Sequence, residues 1–259
     1  MDFRISNTFS DSLARLTNEE QKQVKITTID LQIAPDSPGL SFHKLNRAKD
    51  KNFWSVRVSG DIRIIVHRLD DSLLVCYVDH HDKAYDWAEH HKFSFHPVTG
   101  AAQIVEIRER IEEIVIPKYI EKEFPTESLL IEKNNSKLLF SNLSDETLLG
   151  YGVPEEWIDD VRRADEDNFL ALIDHLPSEA MEALFAIASG DKPIIHKSAV
   201  GVSDDKNSAF EHPDAKRRFR VITSKEELEL ALSLPWEKWM VFCNYSGLDR
   251  LRGTPIKTD

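Results

Sequence analysis

Arg57 and Arg63 flank a short turn signal, Ser59-Gly60-Asp61, and further along come Asp79-His80-His81-Asp82 and Tyr85. Guanidinium groups bind and neutralise a phosphate through paired hydrogen bonds, and a histidine titrates where it can give or take a proton near neutral pH. Residues of these types could hold a phosphate and move a proton beside it. The Asp79-His80-His81-Asp82 run also invites a metal phosphoesterase reading. Adjacent residues of a strand point apart, however, and no second acid-rich motif follows, so no metal and no cofactor is expected.

Whether the two arginines meet depends on the strands that carry them. Three alternating runs, Phe53–Val58, Ile62–Arg68 and Leu73–Asp79, read as a meander joined by Ser59-Gly60-Asp61 and Asp70-Asp71. A three-residue first turn pairs Val58 with Ile62, Val56 with Ile64 and Trp54 with Val66, which makes one face wholly apolar. It also sets Arg57 opposite Arg63 and Phe53 opposite His67 on the other face. A two-residue turn would put Val56 beside Arg63 and spoil both faces. Carried across the second turn, the register pairs Val66 with Val75 and Ile64 with Tyr77. The second face then holds Ser55, Arg57, Arg63, Ile65, His67, Cys76, Val78 and His80. Like charges side by side repel, so an anion between the arginines would explain the pair; solvation of an exposed sheet face explains it equally. His67 reads as structural, and His90, His91 and His96 as solvated surface.

Upstream, Phe3–Ser6 reads as a first strand, Thr8–Leu16 as a helix, and the capping box Thr17-Asn18-Glu19-Glu20 as the start of a second helix running to about Gln32. These two helices form a hairpin over the apolar face. Ala34–Gly39 is rich in breakers, and Asp82–His91 looks helical. Ala101–Val115 is expected as an amphipathic helix. Pro125–Leu143 is expected to be irregular with a short strand around Leu138-Leu139-Phe140. Short helices follow over Ser144–Gly150, Pro154–Ala164, Asp167–His175 and Ser178–Ser189. Residues 191–215 read as a linker, and a last helix begins at Ser224-Lys225-Glu226-Glu227 and ends near Pro235. The expected fold class is α+β. Residues 1–96 form a helical hairpin on a small antiparallel sheet, 97–190 an acidic helical domain, and 191–259 a linker, one helix and a tail.

The chain has 259 residues and a net charge of −12. Residues 1–98 carry 13 Lys and Arg against 14 Asp and Glu, leaving 20 against 31 for the rest. Bulk electrostatic coating of nucleic acid is therefore excluded, while a local phosphate grip is not. No run of eighteen apolar residues and no signal peptide is present, so a cytoplasmic protein without a membrane partner is expected. Two cysteines, Cys76 and Cys243, are too few for a disulfide framework.

The order of strand, helical hairpin, Lys44-Leu45, basic loop and meander resembles the RelE/ParE toxin superfamily over residues 1 to about 90. The meander contributes Trp54-Ser55-Val56-Arg57-Val58-Ser59-Gly60-Asp61-Ile62-Arg63-Ile64-Ile65. Val78-Asp79-His80-His81-Asp82-Lys83-Ala84-Tyr85 is similar to that family's closing Val-Gly-His-Arg-x-x-Val-Tyr pattern, with Asp79 for Gly and His81 for Arg. The resemblance implies a metal-independent endoribonuclease that cuts messenger RNA, commonly on the ribosome, and an antitoxin partner. It implies catalytic roles for Arg57, Arg63, His80 and Tyr85 and RNA contacts for Lys44, Lys49, Lys51 and His81. Members resembling ParE act instead on gyrase and lack the nuclease residues. On charge alone, the acidic C-terminal helices are expected to contact the toxin-like domain and shield its basic face.

The segments Tyr77–Glu89, His212–Val221 and Pro235-Trp236-Glu237-Lys238-Trp239 are similar to the region before the motor of bacterial UvrD/Rep-like helicases. That similarity implies the alternative of a non-catalytic binding module. No Gly-x-x-x-x-Gly-Lys-Ser/Thr motif occurs, so no ATPase or helicase activity is expected.

Overall fold

The computed structural model describes residues 1–69, 71–107, 138–193 and 206–234. The fold class is α+β. Two compact units divide the chain: Met1–Glu106 with His196–Asp259, and Ile107–Ile195.

The first unit is built on a six-stranded sheet of order β2-β3-β4-β5-β1-β8. Its strands are β1 Asp2–Ser6, β2 His43–Lys44, β3 Phe53–Arg57, β4 Ile62–Arg68, β5 Ser72–His80 and β8 Phe219–Ile222. Helices α1 (Asn7–Arg15) and α2 (Asn18–Ile33) form the expected hairpin. The capping box holds as read: Thr17 Oγ1 accepts from the Glu20 amide, and Glu20 Oε2 accepts from the Thr17 amide at 2.9 Å. Phe9, Leu13, Val24 and Leu31 of these helices pack on Val56, Ile64, Val66, Val75 and Val78 of the sheet. Leu228 and Leu232 of helix α10 (Lys225–Ser233) complete that core.

The β3–β4 register is the one the three-residue turn demands. Phe53 pairs with His67, Trp54 with Val66, Val56 with Ile64 and Arg57 with Arg63. Between β4 and β5, Val66 pairs with Val75 as expected, but Ile64 pairs with Val78 rather than Tyr77, because a β-bulge leaves Cys76 as an extra residue. Its backbone is satisfied from β1 and α1. Ser6 Oγ and Thr8 Oγ1 donate to the Cys76 carbonyl at 2.9 and 2.7 Å, and Ser12 Oγ accepts from the Val78 amide at 3.1 Å. Every side chain of β5 beyond the bulge is thereby inverted relative to the sequence reading.

The second sheet face is covered rather than open. Helix α3 (His81–His90) brings Ala84 and Ala88 onto Phe53, Ile65, Leu74 and Cys76. A hairpin of β6 (His91–Phe95) and β7 (Ala102–Glu106) adds Ala102, and Ala215 and Phe219 close the cluster. The helix expected over Ala101–Val115 is thus a strand through Glu106, its continuation lying outside the described residues. Alternation of Ala102, Ile104 and Glu106 with Gln103 and Val105 pairs it with β6. His96 is buried, not solvated: its Nδ1 accepts from the amides of Val98 and Thr99 and so shapes the hairpin loop.

The stretch read as a linker, 191–215, contains α8 (Lys206–Glu211) and the start of α9 (Pro213–Arg218) where it is described. Pro213 opens α9 with His212 Nδ1 capping the Asp214 amide. Strand β8 follows it, an element the sequence reading did not assign.

The second unit contains α4 (Asp145–Gly150), α5 (Ile158–Arg162), α6 (Phe169–Ile173) and α7 (Ser178–Ala188), the run of short helices expected. No strand forms at Leu138–Phe140; that stretch is irregular, with the Leu139 amide donating to the Ala164 carbonyl. The tail Cys243–Asp259 and the Pro235–Trp239 segment lie outside the described residues. Among the described residues no helix is long and apolar enough to cross a membrane.

Candidate phosphate-binding site

Arg57 ends β3 and Arg63 begins β4, directly opposite each other. Arg57 Nε donates to the Ser59 carbonyl at 3.0 Å, and Arg63 Nη1 donates to the same carbonyl at 3.1 Å and to Ile62 O at 3.0 Å. The two cations therefore converge on the turn between them, and among the described residues neither has a carboxylate within 4.0 Å. Arg57 is exposed and Arg63 half-buried, so the outward edges of both groups remain accessible.

The bulge decides the rest of the set. Asp79 pairs with Arg63 across the ladder, and Tyr77 with Ile65, so both belong to the arginine face. Tyr77 donates its hydroxyl to Asp79 Oδ2 at 3.2 Å. Burial, reinforced by the Asp79 charge, pushes the Tyr77 phenol up. Sequence reasoning missed both residues, since it placed Val78 and His80 here.

His80 instead lies on the helical-hairpin side, paired with Ile62. Its Nδ1 is 2.7 Å from Asp61 Oδ2 and its Nε2 is 3.7 Å from Glu20 Oε1. The hydrogen bond that His80 donates to Asp61 raises the imidazole above its ordinary range; burial opposes it, and the charges of Asp61 and Glu20 add to the rise. The structure thus separates His80 from Arg57 and Arg63.

Tyr85 does join the arginine face. Its hydroxyl is 3.1 Å from Ser55 Oγ, and Ser55 stands two residues before Arg57 on the same side of β3. His81 packs its ring on Tyr85 at 4.2 Å and holds Asp82 at 2.9 Å. His43, opposite Ser55 in β2, comes to the same place, unsignalled in the sequence because β2 is only two residues long. Between these elements runs a groove of about 560 Å³, lined by His43, Arg47, His81, Tyr85 and three acids of α3, Asp82, Asp86 and Glu89.

The basic loop divides its lysines. Lys44 pairs with Trp54 and sits over its ring at 5.7 Å on the helix-covered side, away from the arginines. Lys49 and Lys51 line a second pocket, beside His67 and the β6 strand. Lys51 Nζ donates to the carbonyls of Asn46 and Ala48. His67 is structural as read: 6 % exposed, it lies 3.3 Å from Asp50 Oδ2. Among the described residues no group of three or more His, Cys, Asp or Glu side chains could hold a metal ion.

No family model matches the chain, and no curated protein matches it. A solved structure of a RelB–RelE antitoxin–toxin complex from Methanococcus jannaschii is similar to it, at 20% identity and a TM-score of 0.28, over 32% of this chain and 95% of that one.

Proposed function

We propose that the first unit is a RelE-like module that grips a single-stranded RNA phosphate at Arg57 and Arg63, binding without cutting. The observation that carries this reading is the opposed arginine pair, left without a carboxylate partner within 4.0 Å among the described residues. The donors left over from the Ser59, Gly60 and Ile62 carbonyls suit a phosphate oxygen. Tyr85 and His81 offer ring faces next along the groove, where an unstacked base can lie. Asp82, Asp86 and Glu89 on the groove wall repel phosphate, so the strand is held at Arg57 and Arg63 and does not follow α3. Binding without cleavage is supported by the position of His80, whose imidazole serves Asp61 and Glu20 on the far side of the sheet.

A second reading, endoribonuclease action, is favoured by the packing of His81 on Tyr85, which puts an imidazole on the arginine face. Both readings are tested by incubating end-labelled RNA with the protein, with and without ribosomes. Wild type should retard RNA and leave it intact, and the Arg57→Ala/Arg63→Ala variant should lose about tenfold or more in affinity. Undiminished binding by that variant overturns the proposal. Cuts abolished by His81→Ala but not by His80→Ala establish the second reading in its place.

A further inference from the structure

In the second unit, α7 is anchored by Ala180, Ala183 and Leu184, all buried. Met181, Phe185 and Ala188 follow one another at intervals of four and three residues, so they share the adjoining stripe of the helix. That stripe points outward: Phe185 is 52 % exposed, Ala188 is exposed and Met181 is half-buried. Phe169 at the start of α6 stacks on the Phe185 ring with centroids 6.4 Å apart, which sets α6 beside α7. Leu170, next in α6, is 63 % exposed. Two large apolar side chains on neighbouring helices are thus left open, while Phe140, Leu148, Trp157 and Leu184 of the same unit are buried. The surroundings carry one sign of charge. Residues 138–193 hold 13 Asp and Glu against 3 Lys and Arg, and Arg162, one of the three, is taken by Asp145 at 2.8 Å. Asp174 lies one turn beyond Leu170 on the same side of α6, and Glu166 and Asp167 stand just before that helix. All three are exposed.

We propose that α7 and the adjoining part of α6 dock a basic amphipathic helix of another protein. Its apolar stripe lies on Phe185 and Leu170, and its Lys or Arg side chains meet Glu166, Asp167 and Asp174. Exposed apolar side chains rimmed by acids select a partner on both counts, apolar area and positive charge. Nucleic acid and an anionic lipid surface are repelled. A second copy would bring the same charge to the same place, and the whole chain has a net charge of −12, so the complementary charge belongs to another molecule. A helix suits the surface better than an extended strand. Met181, Phe185 and Ala188 form a ridge about 10 Å long with a small residue at one end, and helices pack by laying such ridges between the rows of a partner. The surface belongs to the second unit, outside the region that resembles RelE, and does not rest on the arginine site.

The probe is a fluorescently labelled peptide of roughly fourteen residues, two heptads of Leu and Lys with every leucine on one helical face, titrated by anisotropy with the full chain. One control peptide has the same composition with its leucines scattered around the helix, and a second has Glu in place of Lys. The amphipathic basic peptide should bind wild type about tenfold or more tightly than either control. Leu170→Ser/Phe185→Ser should weaken it by about tenfold or more. Asp167→Lys/Asp174→Lys, which changes exposed residues only, should repeat the loss even if the first variant folds poorly. Equal binding of the amphipathic and scattered peptides reduces the surface to bulk attraction and overturns the proposal. Absence of binding, or undiminished binding by both variants, overturns it too. Sedimentation of wild type as a dimer that Leu170→Ser/Phe185→Ser dissolves would make a second copy the occupant and sink the proposal in its favour.

Discussion

Arg57 Nε and Arg63 Nη1 donate to one acceptor, the carbonyl of Ser59, at 3.0 and 3.1 Å. This shared oxygen holds two like charges together on an exposed turn, and Arg63 also reaches Ile62 O. Arg63→Ala should therefore cost about 1 kcal/mol in urea unfolding, the ordinary worth of such hydrogen bonds. The same variant should lower the slope of log affinity for single-stranded RNA against log salt by roughly 0.7, the loss of one phosphate contact. An unchanged slope would mean that Arg63 does not touch the backbone.

His80 and Asp61 form a pair whose protonation follows acidity. His80 is raised when folded, so its contribution to stability is full at low pH and fades as pH rises through the folded value. Asp61 is lowered, chiefly by the His80 hydrogen bond, so its contribution fades as pH falls. Wild type should therefore exceed His80→Gln in melting temperature most near pH 5 to 6, between the ordinary values of about 3.9 and 6.5, and the gap should close well above pH 7. A gap that widens toward pH 9 would refute the pairing.

Ser6 Oγ accepts from the Phe9 amide as the cap of α1 and donates to the bulge carbonyl of Cys76. Ser6→Ala removes both at a fully buried site, and should cost about 2 kcal/mol by denaturant titration. Thr8→Ala, which removes the Thr8 hydroxyl from the Cys76 carbonyl and from Ser6 Oγ but leaves the α1 cap in place, should cost less.

Cys76 is fully buried, and burial pushes its thiol far up. In a Cys243→Ser background, maleimide labelling of the native protein should proceed only at the rate of unfolding. Rapid labelling in native buffer would contradict the packing around β5.

The register of β3 on β4 was legible because Trp54, Val56, Val58 alternate cleanly with Ser55 and Arg57, so only one turn length keeps the faces apart. The bulge was not. Leu73-Leu74-Val75-Cys76-Tyr77-Val78 is apolar at every position, which leaves no alternation to betray the change of face. The signal that existed lay elsewhere, in Ser6, Thr8 and Ser12, whose hydroxyls serve a strand some seventy residues away. His80 was assigned to the wrong face for that single reason. Strand β8 escaped because a four-residue run is too short to stand out beside the basic end of α9.

Strand β1 lies between β5 and β8, parallel to one and antiparallel to the other. Its second neighbour is synthesised only after the whole of Ile107–Ile195. At ordinary elongation rates a growing polypeptide waits roughly ten seconds for that partner, with one side of Phe3–Ser6 unpaired. The N-terminal portion thus cannot finish folding by itself during translation. A gene fragment ending soon after β7 would yield a sticky sheet margin, prone to self-association, in place of a minimal domain.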